Sequence, residues 1–321
     1  MKFISSILIL SFLIACGKEE TQIVKRSTII MGTVFEIQVR GVDERTANDA
    51  INAAFKEQKR LDTLFSTYLS NNNMWKINNS LSEEIIVDDE TFLMLKKSDE
   101  FWQLTGGAYD GAVGKLIDLI GFEKDSPELP SERKIKEVLE SVGWKHISLK
   151  EPNVLIKPPH IKISFNACVP GYAADRVSSI LEEYGIDDYL INAGGEIFAK
   201  GNDWKVGIKH PRNQNELIGT VLINGKAIAT SGDYEKYFEK DGKRYSHIIN
   251  PITGEFTNET VSVTILADDA LTADGLSTGI FVMGVQKGLE LIEKLPNVEG
   301  IIVDITGIVH MSSGFEKYLM R

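Results

Sequence analysis

Apolar and polar positions change period several times along the chain. Residues 27–41, STIIMGTVFEIQVRG, alternate and are rich in β-branched side chains, which predicts strands. Gly32 inside that run predicts a bulge or a close backbone approach. From Asp43 to Ser66 the period becomes helical. Ala47, Ile51, Ala54, Phe55, Leu61, Leu64 and Phe65 fall near one face, and Asp43 is placed to cap it. Residues 66–80 are polar and read as a loop, and a second helix is expected from Glu90 to Leu104, stopping at Gly106–Gly107. Residues 123–138 carry two prolines and dense charge, the most linker-like internal stretch, with a short helix over Ser131–Ser141. The segment SFNACVPGYAAD, 164–175, leaves an expected strand, turns at Pro170–Gly171 and opens a helix. Val177, Ile180, Leu181 and Tyr184 share one face of that helix, and Gly185 stops it.

Hairpin signals dominate the second half. Residues 189–201 read strand, Gly194–Gly195 turn, strand, and 204–211 add another strand. Residues 217–232 predict a hairpin around Asn224–Gly225, a strong short-range turn signal. Residues 244–256 run from a strand into a Pro-x-x-Gly turn. Residues 259–284 are a strand followed by a helix, and 298–312 form a closing hairpin. Interleaved helices with this many hairpins exclude a purely parallel doubly wound sheet and predict an α+β fold.

The N-terminus changes the picture of the compartment. Lys2 precedes an apolar run from Phe3 to Ala15, too short for a mature membrane-spanning helix and typical of a secretory signal. Leu13-Ile14-Ala15-Cys16 is similar to a bacterial lipobox, so residues 1–15 are expected to be removed and Cys16 to carry lipid. Residues 16–27 would be a tether and 28–321 the folded domain, anchored to a bacterial membrane and facing the periplasm or exterior. Only Cys168 then remains, so no internal disulfide is available. The chain of 321 residues carries a formal charge of −11 and no basic block, which argues against a nucleic-acid partner.

Candidate chemistry is scattered. Asp274 and Thr278 are four apart at a helix start, with Ser277 beside Thr278, and share a face. Such oxygens suit Mg²⁺, although helix capping alone would also select an acid and a threonine there. His247 ends a strand before a tight turn, where it is either a general base or a structural side chain. No P-loop, dinucleotide fingerprint, zinc spacing or nucleophile elbow is present.

The order of the blocks is more specific than any one of them. MGT (31–33), FSTYLSNN (65–72), GGAYDGAVGKLIDLIGF (106–122), FNACVPGYAADRV (165–177), YLINAGGEI (189–197), WKVGIKHPR (204–212), ATSGDYEKYF (229–238), YSHIINPITG (245–254) and ADGLSTGIFVMG (273–284) together resemble the ApbE family. The resemblance runs from about Ile29 to the C-terminus. It implies an ApbE-like mixed α/β fold with its FAD site in a cleft between subdomains. It implies an FAD:protein FMN transferase, which uses Mg²⁺ to move the FMN half of FAD onto a Thr or Ser hydroxyl and releases AMP. The target would be a protein such as a membrane redox-pump subunit. The alternative is an FAD-binding lipoprotein with weak pyrophosphatase activity or none.

By the same resemblance, Asp274 and Thr278 would ligate Mg²⁺ with Ser277 adjacent and the Ala167 carbonyl completing the set, and His247 would take the acceptor's proton. Met31, Tyr68, Ala108, Tyr109, Asp110 and Ile248 match positions at the FAD site, and Glu196 and Asp233 match family blocks with a less direct role. The 164–170 turn departs from the family pattern. Ser164 stands where an Asp is usual and Pro170 where a Lys is usual, so two charged groups are missing. Loss of a direct Lys contact to phosphate removes about 1.5–3 kcal/mol.

Overall fold

The computed structural model describes residues 23–121, 129–202, 204–213 and 215–320. Cys16, the signal and most of the tether lie outside these residues, as does part of the linker-like stretch.

The chain opens with strands β1 (Val24–Ile30) and β2 (Thr33–Arg40), paired antiparallel. Folded structure therefore includes Val24–Ser27, which the sequence pattern assigns to the tether. Gly32 is not a strand bulge. Met31 and Gly32 have φ of 54° and 72° and form the two-residue hairpin turn, whose positive φ at both positions matches the twist of the strands. Helix α1 (Glu44–Phe65) follows, with Asp43 accepting from the Thr46 N–H as cap. Residues 66–80 are not all loop. Helix α2 (Asn73–Asn79) forms there because Asn72 caps it and Met74 and Ile77, three apart, are buried together.

Next come β3 (Glu84–Ile86), α3 (Asp89–Leu104), α4 (Gly114–Ile120), α5 (Glu132–Ser141), β4 (Ser148–Lys150) and β5 (Val154–Ile156), with β3, β5 and β4 forming a small sheet. The strand expected before Pro170 is absent. Residues 161–165 bury Ile161, Ile163 and Phe165 in alternation, yet the Asn78 side chain stands in for a partner strand. It accepts from the Ile163 N–H and donates to the Ile163 carbonyl, both at 2.8 Å.

Helix α6 (Val169–Glu183) leads to β6 (Asp188–Ala193), β7 (Glu196–Lys200), β8 (Trp204–Lys209), β9 (Leu217–Ile223) and β10 (Lys226–Gly232). The Asn224–Gly225 signal marks a turn but not a hairpin. β9 pairs with β8 in a separate two-stranded sheet, whereas β10 pairs with β7 and with β13 (Thr260–Ala267). A strand has two edges, and both of β10's are taken. The remaining elements are β11 (Tyr237–Lys240), β12 (Lys243–Ser246), α7 (Ala270–Met283), α8 (Val285–Ile292), β14 (Glu299–Asp304) and β15 (Val309–Met311).

The framework is an eight-stranded sheet, all antiparallel, in the order β1-β2-β6-β7-β10-β13-β14-β15. Its inner strands, β6 to β14 in that order, are apolar on both faces, whereas β1, β2 and β15 are not. Ile37, Ile191, Ala229, Ile265 and Ile302 face a core with α1, α6 and α7. Their neighbours Leu190, Ile228, Leu266, Ile301 and Val303 face a second core under β8 and β9, filled by Trp204, Val206, Ile208, Val221 and Ile223. Burying such side chains contributes about 1.5–3 kcal/mol each. The sheet is thus sandwiched between helices and a β-ribbon, and the site opens at one end of that sandwich.

Candidate active site

A cavity of about 850 Å³ lies where the layers meet. The β1–β2 turn supplies Met31, Gly32 and Thr33, and the end of α1 and its following loop supply Asp62, Phe65 and Tyr68. Asn166, Val169 and Pro170 come from the entry to α6, and Gly194–Glu196 from the β6–β7 turn. Lys209, Glu235, Lys236 and His247 complete the strand side. A dinucleotide falls within the size range of such pockets, roughly 300–1,000 Å³.

Helices α6 and α7 meet behind this cavity, start against start. The Gly171 N–H donates to Asp274 Oδ2 at 2.9 Å, and the Ala270 and Leu271 N–H groups donate to Asp175 at 2.8 and 2.9 Å. Each helix therefore places a carboxylate on the other's first turn, where unpaired N–H groups and the helix dipole favour negative charge. In a regular helix the Gly171 N–H would pair with the Ala167 carbonyl; its bond to Asp274 leaves that carbonyl without this donor. Glycine is required at 171 by space, since a Cβ there would stand 2.3 Å from the Ala270 oxygen and 2.8 Å from the Asp274 Cβ. Gly171→Ala is expected to separate the two helices and destabilise at the upper end of the roughly 1–3 kcal/mol range for overpacking. Chemical denaturation would check this, and an unchanged midpoint would refute it.

Burial pushes the Asp175 carboxyl up to about 7, against the pull of the Ala270 and Leu271 N–H groups. A folded pKa above the unfolded one means the folded state holds the proton more tightly. That stabilisation is complete below the ordinary value of 3.8 and drains as pH rises through about 7. Thermal midpoints are expected to fall from about pH 5 to about pH 8, across that value, in the parent, and less steeply in Asp175→Asn. Equal slopes would exclude Asp175 as the source.

Asp274 is buried, and its carboxyl is raised well above 3.8 by that burial and then by the charge of Glu196, opposed by the Gly171 N–H. Glu235 and Asp175 add further repulsion. Burial likewise pushes Glu196 up to about 7, and partial desolvation raises Glu235, whose residue is exposed at the surface. Beside Asp274, the Ser277 hydroxyl donates to the Asp274 carbonyl at 2.9 Å. Ser231 on β10 lies 2.8 Å from the Ser277 hydroxyl and 3.3 Å from that of Thr278. The donors gathered here are all hard oxygens under mutual carboxylate repulsion, which fits a small divalent cation such as Mg²⁺. Among the described residues no cluster of three or more His, Cys, Asp or Glu able to hold a metal is present.

His247 is held by one carbonyl. Its backbone N–H and its ring Nδ1 lie 2.9 and 3.2 Å from the Lys236 oxygen. A carbonyl only accepts, so Nδ1 carries the proton and Nε2 keeps its lone pair. Burial holds the imidazole below its ordinary pKa of 6.5, and the Lys236 charge acts in the same sense.

Of the residues singled out in the sequence, Met31, Tyr68, Pro170, Glu196 and His247 share the cavity, and Ala167, Asp274, Ser277 and Thr278 belong to the helix junction behind it. The others stand elsewhere. Tyr109 is buried, packed edge-on against Phe101, with its hydroxyl on the Cys168 sulfur at 3.1 Å and its Cβ close to Gly279 of α7, so it supports the helix junction from behind rather than lining the cavity. Asp110 accepts from the Ala112 and Trp144 N–H groups. Ala108 lines a second cavity, of about 780 Å³. Ser164 accepts from the Asn166 N–H, a local turn bond. Asp233 takes both guanidinium nitrogens of Arg212 at 2.6 Å, and Ile248 is in the core. The sequence reading missed Asp175, Ser231, Glu235, Lys209 and Lys236. Ser231, Glu235 and Lys236 lie within one quoted block, but nothing in its spacing says which side chains meet the helix junction or the cavity.

The family model described as the ApbE family matches residues 31–302. The chain is similar to the FAD:protein FMN transferase of Vibrio cholerae, 33% identical across 96% of this chain and 94% of that protein. It is also similar to the FAD:protein FMN transferase of Haemophilus influenzae, 31% identical across 98% of each. Among solved structures, the ApbE protein of Thermotoga maritima superposes with a TM-score of 0.87 at 31% identity, over 94% of this chain and 100% of that one. The flavin transferase ApbE from Vibrio cholerae gives 0.84 at 30%, over 93% and 100%. With its mixed antiparallel architecture and matched residues across most of its length, this chain belongs to the ApbE family.

Proposed function

We propose that this protein is an FAD:protein FMN transferase, and that the cavity between the helical layer and the β8–β9 ribbon holds FAD. The observation that carries the reading is the juxtaposition of an imidazole with a free Nε2, on the cavity wall, and a buried carboxylate junction behind it. Near-full-length similarity to proteins that bear this activity in their names supports it.

The reaction needs three things from the chain. A Thr or Ser hydroxyl of the target must lose its proton as its oxygen attacks the phosphorus nearer the flavin. His247 Nε2 takes that proton. The bond from that phosphorus to the bridging oxygen breaks, and AMP leaves with the electron pair. The Ala167 carbonyl, the Asp274 carboxylate and the Thr278 hydroxyl, with Ser277 beside them, would hold Mg²⁺. Bound there, the ion would neutralise phosphate charge as it develops. Met31 and Tyr68 line the cavity and would position the ring systems of the dinucleotide. Lipidation at Cys16 would keep the domain (residues 28–321 and the strand residues just before them) at a membrane surface, with membrane redox-pump subunits as targets.

The test is covalent labelling. Purified protein, FAD, Mg²⁺ and a co-expressed target subunit are expected to yield a fluorescent flavin band on denaturing gels, with one AMP released per label. FAD bound with no label, and AMP released only to water or not at all, would leave the binder with weak pyrophosphatase activity or none. A protein that binds no FAD would overturn both.

A further inference from the structure

Two lysines in the cavity have no charged partner. Lys209 ends β8 and Lys236 precedes β11, and both line the FAD-sized cavity from its strand side. Among the described residues, neither Nζ has a hydrogen bond or a carboxylate within 4.0 Å. Other cations near the site are spent. Arg212 is clamped to Asp233, and Arg244 lies 3.6 Å from Glu239 and over the Tyr237 ring. The two ammonium groups do act, at longer range, on the Glu235 carboxylate, holding it lower than burial alone would.

The rest of the lining makes this arrangement meaningful. The entry to α6 gives the cavity Asn166, Val169 and Pro170, none of them charged. Asp62, Glu196 and Glu235 add negative groups. A diphosphate brought into such a space meets repulsion unless cations answer it. Lysine binds phosphate as a point charge on a long flexible stem, so two unpaired lysines on one wall can close on a diphosphate without rebuilding the backbone.

Resting on the reading above, we infer that Lys209 and Lys236 together hold the diphosphate of FAD from the strand side, supplying the positive charge that the 164–170 turn lacks.

Lys209→Gln, Lys236→Gln and the double variant test this by binding, without reference to transfer. Both side chains are exposed, so thermal midpoints matching the parent should certify the fold. Flavin fluorescence quenching is measured for FAD and for riboflavin at several salt concentrations. The FAD dissociation constant is expected to rise about ten-fold per lysine, with a weaker salt dependence in the double variant, while riboflavin binding stays unchanged. Unchanged FAD binding in the double variant, or equal losses for FAD and riboflavin, would overturn the inference and leave the transferase reading standing. No FAD binding by the parent protein would overturn both.

Discussion

Replacing His247 by alanine is expected to lower the rate of FMN transfer by about 10²–10⁴-fold, the usual contribution of a positioned general base. FAD binding should persist, because the ring forms only one part of a wall shared by eight segments of the chain. The pH profile separates this role from a structural one. Burial holds the imidazole below 6.5, so His247 is neutral and able to accept a proton throughout the neutral range. The part of the parent's acid limb that comes from His247 protonation should therefore lie below pH 6.5. That part should vanish in His247→Ala. A limb centred above 6.5, or one that survives the substitution unchanged, would assign the proton transfer to another group.

Asp274→Asn is expected to cost about 10³-fold in rate and to leave the protein at least as stable when divalent cations are chelated. The two effects have one origin. The carboxylate is buried under the charges of Glu196, Glu235 and Asp175. Asparagine retains an oxygen for the Gly171 N–H but removes the charge, so the cap survives and the repulsion is relieved. Mg²⁺ at one hundred times its dissociation constant should stabilise the parent by about 2.7 kcal/mol and the variant by much less. Thermal unfolding with and without Mg²⁺ decides the matter. Equal Mg²⁺-dependent shifts in parent and variant would move the cation away from Asp274, and a collapsed variant would reduce Asp274 to a cap.

Spacing marked several residues of the candidate site, and the family resemblance, not periodicity, supplied their expected roles. Asp274 and Thr278 share a face through the i,i+4 rule, and the structure keeps that spacing on α7. His247 was recognisable as a histidine ending a strand before a turn, and it does lie there, directly after β12. The SFNACVPGYAAD turn was readable as a helix entry without charge. Its partners were not. Asn78 replaces a strand for Ile163, and Asp274 replaces the Ala167 carbonyl for Gly171, across separations of 85 and 103 residues.

The sequence by itself determined the local elements and several of their ends. Asp43 and Asp269 cap their helices through i,i+3 bonds, alternation marks the half-buried β2, and a β-branched apolar run marks β13, buried on both faces. Only the tertiary structure decided which strands pair, which carboxylates crowd and which cations stay unpaired. Asn224–Gly225 shows the division. Turn chemistry reverses the chain there, but β9 and β10 separate because β7 and β13 occupy both edges of β10 and the second core needs β9 as its cover. Capping and periodicity act over one or two turns of chain and are written in adjacent residues. Sheet order, mutual helix capping and the field inside the cavity arise from burial among residues far apart in sequence, which no local window contains.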